Sequence, residues 1–152
     1  PNNAVIYGAT YLLGGASVTV SQSGASISFA ASPQESTVNV VFDGGGSAIT
    51  TGSKLDVVLD FGCSILGYTI LGDLAGSLQV DIWKDVFGSF PPTVADTITA
   101  AAKPSLSGNL TQQNSTLTGW TTAVSAGDIF RFNIDTAVSV NRATLALKIK
   151  RT

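Results

Sequence analysis

Apolar and polar residues alternate through Ser77 to Asp85, SLQVDIWKD, and this period of two limits what the chain can become. An extended backbone places Leu78, Val80 and Ile82 on one face and Gln79, Asp81 and Trp83 on the other. The same period recurs in Val38-Val40-Phe42, Leu55-Val57-Leu59-Phe61, Phe130-Phe132-Ile134 and Leu145-Leu147-Ile149. Turn-forming clusters such as Asp43-Gly44-Gly45-Gly46 and Ser125-Ala126-Gly127-Asp128 separate these runs, and no convincing amphipathic helix interrupts them. The expected fold is all-β, a jelly-roll-like antiparallel β-sandwich of about eight to ten short strands.

Ser77–Asp85 is the expected central strand. Ile65–Asp73 is apolar on both faces, which predicts a strand covered on both sides, joined to Ser77–Asp85 as a hairpin through Asp73-Leu74-Ala75-Gly76. The large indole of Trp83 falls on the polar side of its strand, just before a long loop-like stretch from Val86 to Ser115. Either that stretch or another subunit must cover it, since leaving it bare forgoes roughly 2 kcal/mol of burial. Within the stretch, Pro91-Pro92 breaks any strand, and Val94–Ala102 reads as irregular structure with a short strand. Strand character returns around Leu117 and Trp120.

Residues 37–152 are expected to form the sandwich. Residues 1–36 read separately, as an N-terminal hairpin or attachment arm: Val18 and Val20, then Ile27 and Phe29, alternate on either side of Ser23-Gly24.

Only 12% of the 152 residues are charged, against about 25% in an average domain, so Ser, Thr, Asn, Gly and Ala must supply much of the surface. Weak charge repulsion makes such a surface prone to become an interface. A net charge of −2 gives no electrostatic reason to expect nucleic acid. No apolar run approaches the roughly 18 residues of a membrane span, so membrane insertion is not expected. Lys148, Lys150 and Arg151 alternate with Leu147 and Ile149, as outward charges guarding a strand would.

The residues that most chemistries need are scarce. The chain has no His and one Cys, Cys63, which fits between Phe61 and Ile65 as a small buried side chain. Zinc sites and His-based triads are therefore not expected, and neither a metal nor a cofactor is assigned. Gly52-Ser53-Lys54 reverses the residue order of a phosphate loop and runs into a strand. Asp81 and Asp85 are the best carboxylate pair for a polysaccharide-degrading enzyme, but alternation sets them about 13 Å apart along a strand, beyond the roughly 5 to 9.5 Å that glycoside hydrolysis uses. The chain is accordingly expected not to be an enzyme.

Binding is what remains. Trp83, Trp120, Tyr68 and Phe90 lie near turns with Asp, Asn and Gln beside them, a composition that holds sugar rings by stacking and hydrogen bonds. Aromatics more often fill cores or subunit interfaces than bind ligand, and that reading is the stronger one for each of the four. With Asp81 they are the candidate ligand-binding or interface residues.

Several segments, VFDGGGSAITTG, LQVDIWKD, FPPTVADTITAAAKPSLSG, STLTGWTTAVSAGDIFRFNIDTA and VSVNRATLALKIKRT, together resemble a β-sandwich domain of tailed-bacteriophage and prophage structural proteins, found at the C-terminal end of tail-fibre-like chains. The likeness spans about Thr37 to Thr152 and leaves Pro1 to Ser36 outside it. It implies a location on the virion, on tail or capsid surface, and a homotrimer among other virion proteins. It also implies that the domain recognises host surface groups, a cell-surface saccharide foremost, or else serves as capsid decoration or a tail-structural subunit. No catalytic residue belongs to the pattern.

Overall fold

The computed structural model describes the backbone of Val18–Ser23 and Ser26–Ala31 and all of residues 34–152. The chain divides into two units, Pro1–Gln34 and Glu35–Thr152. In the first unit, β1 (Val18–Ser23) and β2 (Ser26–Ala31) pair antiparallel with Val20 opposite Phe29 and Ser23 opposite Ser26, which is the hairpin its alternation predicts. Whether this unit acts as an arm concerns residues that lie largely outside the described ones.

The second unit is an all-β, antiparallel, sandwich-like fold. Its strands are β3 (Glu35–Asp43), β4 (Lys54–Leu59), β5 (Cys63–Asp85), β6 (Ser105–Asn114), β7 (Ala123–Val124), β8 (Asp128–Val138) and β9 (Arg142–Arg151). The sheet runs β3-β9-β5-β8-β4, with β6 and β7 also on β5. Because β9 pairs with the first half of β5 and β8 with the second, the sheet splits into two layers that share β5 and β6. One layer is β3, β9, Cys63–Gly72 of β5 and the end of β6; the other is β4, β8, Ser77–Asp85 of β5 and the start of β6.

A single bent strand thus replaces the expected hairpin. Asp73-Leu74-Ala75-Gly76 is a corner inside β5, where pairing with β6 slips between Leu71 and Gly76, as strands do when they cross between packed sheets. Gly76 permits the corner: a Cβ there would stand 2.2 Å from the Val138 carbonyl oxygen, which no side chain tolerates. A second irregularity, at Leu66, adds one residue between the Ile65–Ile149 and Gly67–Lys148 pairs. The inward positions of β5 therefore change from Cys63 and Ile65 to Tyr68, Ile70, Leu78, Val80 and Ile82. Leu66 is only half-buried and Leu71 is exposed, so Ile65–Asp73 is not covered on both faces as expected.

Between the layers lies one core. Phe130, Phe132 and Ile134 of β8, Leu145, Leu147 and Ile149 of β9, and Val80 and Ile82 of β5 are all without solvent contact. Each contributes about 1.5–3 kcal/mol relative to an exposed side chain, and Phe130 and Phe132 meet edge to face at 6.0 Å. Cys63 is buried as expected, and burial raises its thiol pKa.

Two stretches differ from expectation. Ser105–Asn114, read as loop, is a ten-residue strand. Of Ser115–Val124, expected as strand, only Ala123–Val124 is one; the rest turns, with Leu117 at φ 47°, Gly119 at φ 78° and the Trp120 amide donating to the Leu117 carbonyl.

Candidate functional site

The β5 side of the outer face of the second layer is covered by the chain itself. After β5 the backbone makes two short 3-10 turns, Phe87–Ser89 and Val94–Asp96, the second closed by reciprocal hydrogen bonds between Thr93 and Asp96. It then runs back along the free edge of β5, where the Ile98 amide donates to the Ile82 carbonyl, Thr97 bridges Trp83, and the Val80 amide donates to Pro104. Trp83 does lie on the face that alternation assigns, but it is buried under this segment and Lys54, whose Nζ sits 5.9 Å from the ring centre. The intramolecular cover answers the question that its position poses.

Beneath the segment sits Asp81, fully buried. Its Oδ1 accepts from the Ile82 amide at 2.9 Å and from the Thr97 and Thr99 hydroxyls at 2.6 Å each, while Oδ2 faces the Lys103 ammonium at 3.0 Å. Burial alone would raise the Asp81 pKa, but the Thr97, Thr99 and Lys103 donors outweigh it and hold it below the usual carboxylate range. Lys103 also reaches Asp135 at 2.6 Å, and the Asn133 amide donates to the same carboxylate. Although burial opposes its charge, these carboxylates raise the Lys103 pKa. The Ile82 amide, the Thr97 and Thr99 hydroxyls and the Lys103 ammonium occupy the Asp81 carboxylate and pin the covering segment, whereas the buried Trp83 indole N–H has no hydrogen-bond partner among the described residues.

The other aromatic candidates separate. Tyr68 and Trp120 stack at 5.7 Å with planes 9° apart, the Trp120 indole donating to the Ala102 carbonyl and the Tyr68 hydroxyl to Gln112. Tyr68 is buried and Trp120 half-buried, so this stack belongs to the core and its margin. Phe90 is the one exposed member, with the Arg131 guanidinium 5.1 Å over its ring. The five candidates thus do not form one site: Asp81 with Trp83, Tyr68 with Trp120, and Phe90 alone. Among the described residues there is no group of three His, Cys, Asp or Glu placed to hold a metal.

Concavity lies elsewhere, on the bare outer face of the first layer. A depression of about 410 Å³ is lined by Leu66–Thr69 of β5, Gln113–Thr116 after and within β6, and Lys148 of β9. A second, of about 280 Å³, is lined by Glu35–Thr37 of β3 with Thr69, Ala146 and Lys148. Sharing Thr69 and Lys148, the two form one shallow groove across four strands, roughly 14 Å from edge to edge. Gly67 brings β6 close: a Cβ would stand 2.8 Å from the Asn114 carbonyl oxygen. The walls mix the hydroxyls and amides of Thr37, Thr69, Gln113 and Asn114 with Leu66, Tyr68 and Ala146, and the charges cancel, Lys148 meeting Glu35 at 2.7 Å and lowering its pKa chiefly by that hydrogen bond. Of these residues the sequence singles out only Tyr68 as a candidate; most others are the ordinary polar positions of alternating strands, and only the three-dimensional sheet shows that they line a hollow.

The chain matches no protein-family model and no curated protein sequence. Among solved structures it is similar to a chain in the structure of infectious bursal disease virus Gx strain, at 14% identity and a TM-score of 0.23 over 92% of this chain and 42% of that one. A chain in the structure of infectious bursal disease virus Gt strain is similar at 12% identity and a TM-score of 0.16, over 93% and 49% respectively. The chain therefore spans less than half the length of these chains.

Proposed function

We propose that this protein is a non-enzymatic virion structural protein of a tailed bacteriophage or prophage. In this reading it is a tail-fibre-like surface domain that self-associates, as a homotrimer, and binds a host cell-surface saccharide. The observation that carries the binding role is the groove across β3, β9, β5 and β6: hydroxyl and amide side chains interleaved with Leu66, Tyr68 and Ala146 on a sheet, with charges balanced, suit a neutral saccharide better than any charged ligand. The sequence resemblance over Thr37 to Thr152 supplies the virion setting.

The test is binding of the purified protein to host surface polysaccharide, with Thr69→Arg and Gln113→Ala as groove variants. Wild type binds, Thr69→Arg weakens binding at least tenfold at unchanged melting temperature, and the free protein blocks adsorption of the parent particle to cells. Binding that both variants leave intact would move the saccharide off the groove, and absence of binding to any host glycan removes the receptor role.

The division after Gln34 favours a second reading, capsid decoration or tail structure with residues 1–34 as the attaching unit. Deleting residues 1–34 separates the two. Loss of particle attachment by a folded remainder supports decoration, whereas normal particles with lost adsorption support receptor binding.

A further inference from the structure

Charge-poor as the surface is, its apolar exposure is concentrated. In the nine residues after β5, Val86, Phe87, Phe90 and Val94 are 54%, 83%, 49% and 65% exposed, and Val58 on β4 is 53% exposed. They lie on one side of the second layer. Asp85 pairs with Ile129 and Ile129 with Val58, while Phe90 rests on Arg131, which Asp56 of β4 holds by two hydrogen bonds of 2.7 and 2.8 Å. Together these five side chains expose roughly 500 Å² of apolar surface, about what the apolar part of an 800 Å² half-interface requires. The segment that carries them is anchored by the Asp85 carboxylate on the Val86 amide and by the Thr93–Asp96 pair, so its aromatic rings are presented by fixed backbone.

The strand beside this patch is also open. Among the described residues β4 pairs only with β8, so the backbone groups that point away from β8 along its six residues have no partner strand. A partner that fits must bring both apolar contacts and a strand edge. This chain has such an edge, β3, nine residues long, paired only with β9 among the described residues, carrying exposed Val41 and neither Pro nor Lys to blunt it. The charges complement each other as well. Around β4 and the patch, Asp56, Asp60, Asp85 and Asp96 outnumber Lys54 and Arg131, whereas on β3 and β9, Arg142 neutralises Asp43 and Lys148 neutralises Glu35, which leaves Lys150 and Arg151 as the excess charge.

From this we infer that the β4 edge and its Val58–Phe87–Phe90 patch are the docking surface for the β3 edge of a second copy of the chain. The contact is head-to-tail: strand edges pair, and the acidic side of one copy meets the basic side of the next. A contact of this kind leaves each copy with one used and one free surface and closes only as a ring. The inference rests on the self-association proposed above and adds the surfaces that make it.

Sedimentation velocity and light scattering on the full chain at about 50 µM, with near-ultraviolet circular dichroism to confirm folding, supply the test. Wild type is expected to be a closed oligomer, and Phe87→Asp on one side or Val41→Lys on the other to be folded monomers. An equal mixture of the two variants is expected to form a dimer and stop there, because each retains the surface that the other has lost. A wild-type oligomer that both variants preserve would falsify the assigned surfaces while leaving self-association standing, and a wild-type monomer at this concentration removes both. Monomeric variants whose mixture stays monomeric overturn the head-to-tail arrangement.

Discussion

The Lys103 ammonium stands 3.0 Å from Oδ2 of Asp81, a carboxylate with 1% of its side chain exposed, and so ties the segment crossing the outer face to the central strand beneath it. Breaking such a pair from the buried side costs more than the pair itself contributes, because the remaining hydroxyls and ammonium lose their acceptor. Asp81→Asn keeps the shape and removes the charge, with an expected loss of about 2–4 kcal/mol in urea-unfolding free energy. Lys103→Met, at a residue still 22% solvent-exposed in its side chain, is expected to cost less. Equal, negligible losses would show that the segment is held by its backbone bonds to Ile82 and Val80 alone.

The same pair sets a dependence on pH. The folded-state pKa of Asp81 lies below the roughly 3.9 of an unfolded chain, so its contribution is complete above that value and disappears as pH falls through the folded pKa. The folded-state pKa of Lys103 is raised, so its contribution is complete below about 10.4 and disappears as pH rises through the folded value. Exposed carboxylates with lowered pKa, such as Asp43 and Asp96, act alike in wild type and variant and cancel in the difference. The gap in urea midpoint between wild type and Asp81→Asn is therefore expected to be constant from about pH 5 to 8 and to narrow below about pH 4. A gap that stays level down to pH 2 would mean that the Asp81 charge does not stabilise the fold.

The architecture was legible where one face of a strand is buried and the other is not. Phe130-Phe132-Ile134 and Leu145-Leu147-Ile149 alternate because they line the core, and both sets are buried. Ile65–Asp73 misled because the extra residue at Leu66 switches the inward set from odd to even positions, making a one-sided strand look apolar on both sides. β6 was hidden for the opposite reason: Leu106 is its one buried apolar side chain, and its pairing with both halves of β5 is a property of backbone. Trp83 lies on the face that alternation assigns it, and of the two covers its position allows, the following segment is the one realised. What spacing could not disclose was distance across strands, which joins Tyr68 to Trp120 and spreads Thr37, Thr69 and Gln113 along a groove.

Trp120 tests the margin of the core. Trp120→Phe retains a ring for the stack on Tyr68 but leaves the Ala102 carbonyl without its 2.9 Å partner, an expected cost of about 1 kcal/mol. Trp120→Ala removes the stack as well, for about 2–3 kcal/mol in total, less than a fully buried Trp because this one is half-buried. Thermal unfolding of the two variants checks the order; a Phe variant as damaging as Ala would assign the stabilisation to the indole hydrogen bond and not to stacking.

Gly76 and Gly88 offer a matched pair, one at the corner of β5 and one in the exposed turn after it. At Gly76 an added methyl group meets the Val138 carbonyl oxygen at 2.2 Å and Val140 Cγ2 at 2.9 Å, while at Gly88 it meets nothing within 4 Å. The first obstacle is backbone of β8, which cannot retreat without breaking the pairing of Ser77 with Val138 that begins the second layer. Gly76→Ala is expected to cost about 3 kcal/mol or more, or to prevent folding, and Gly88→Ala to stay within about 0.5 kcal/mol of wild type. Equilibrium unfolding in urea distinguishes them. If the two variants were equally stable, the bend would not depend on the close approach of β5 to Val138, and the two layers would have to be joined by the pairing of β6 with both halves of β5.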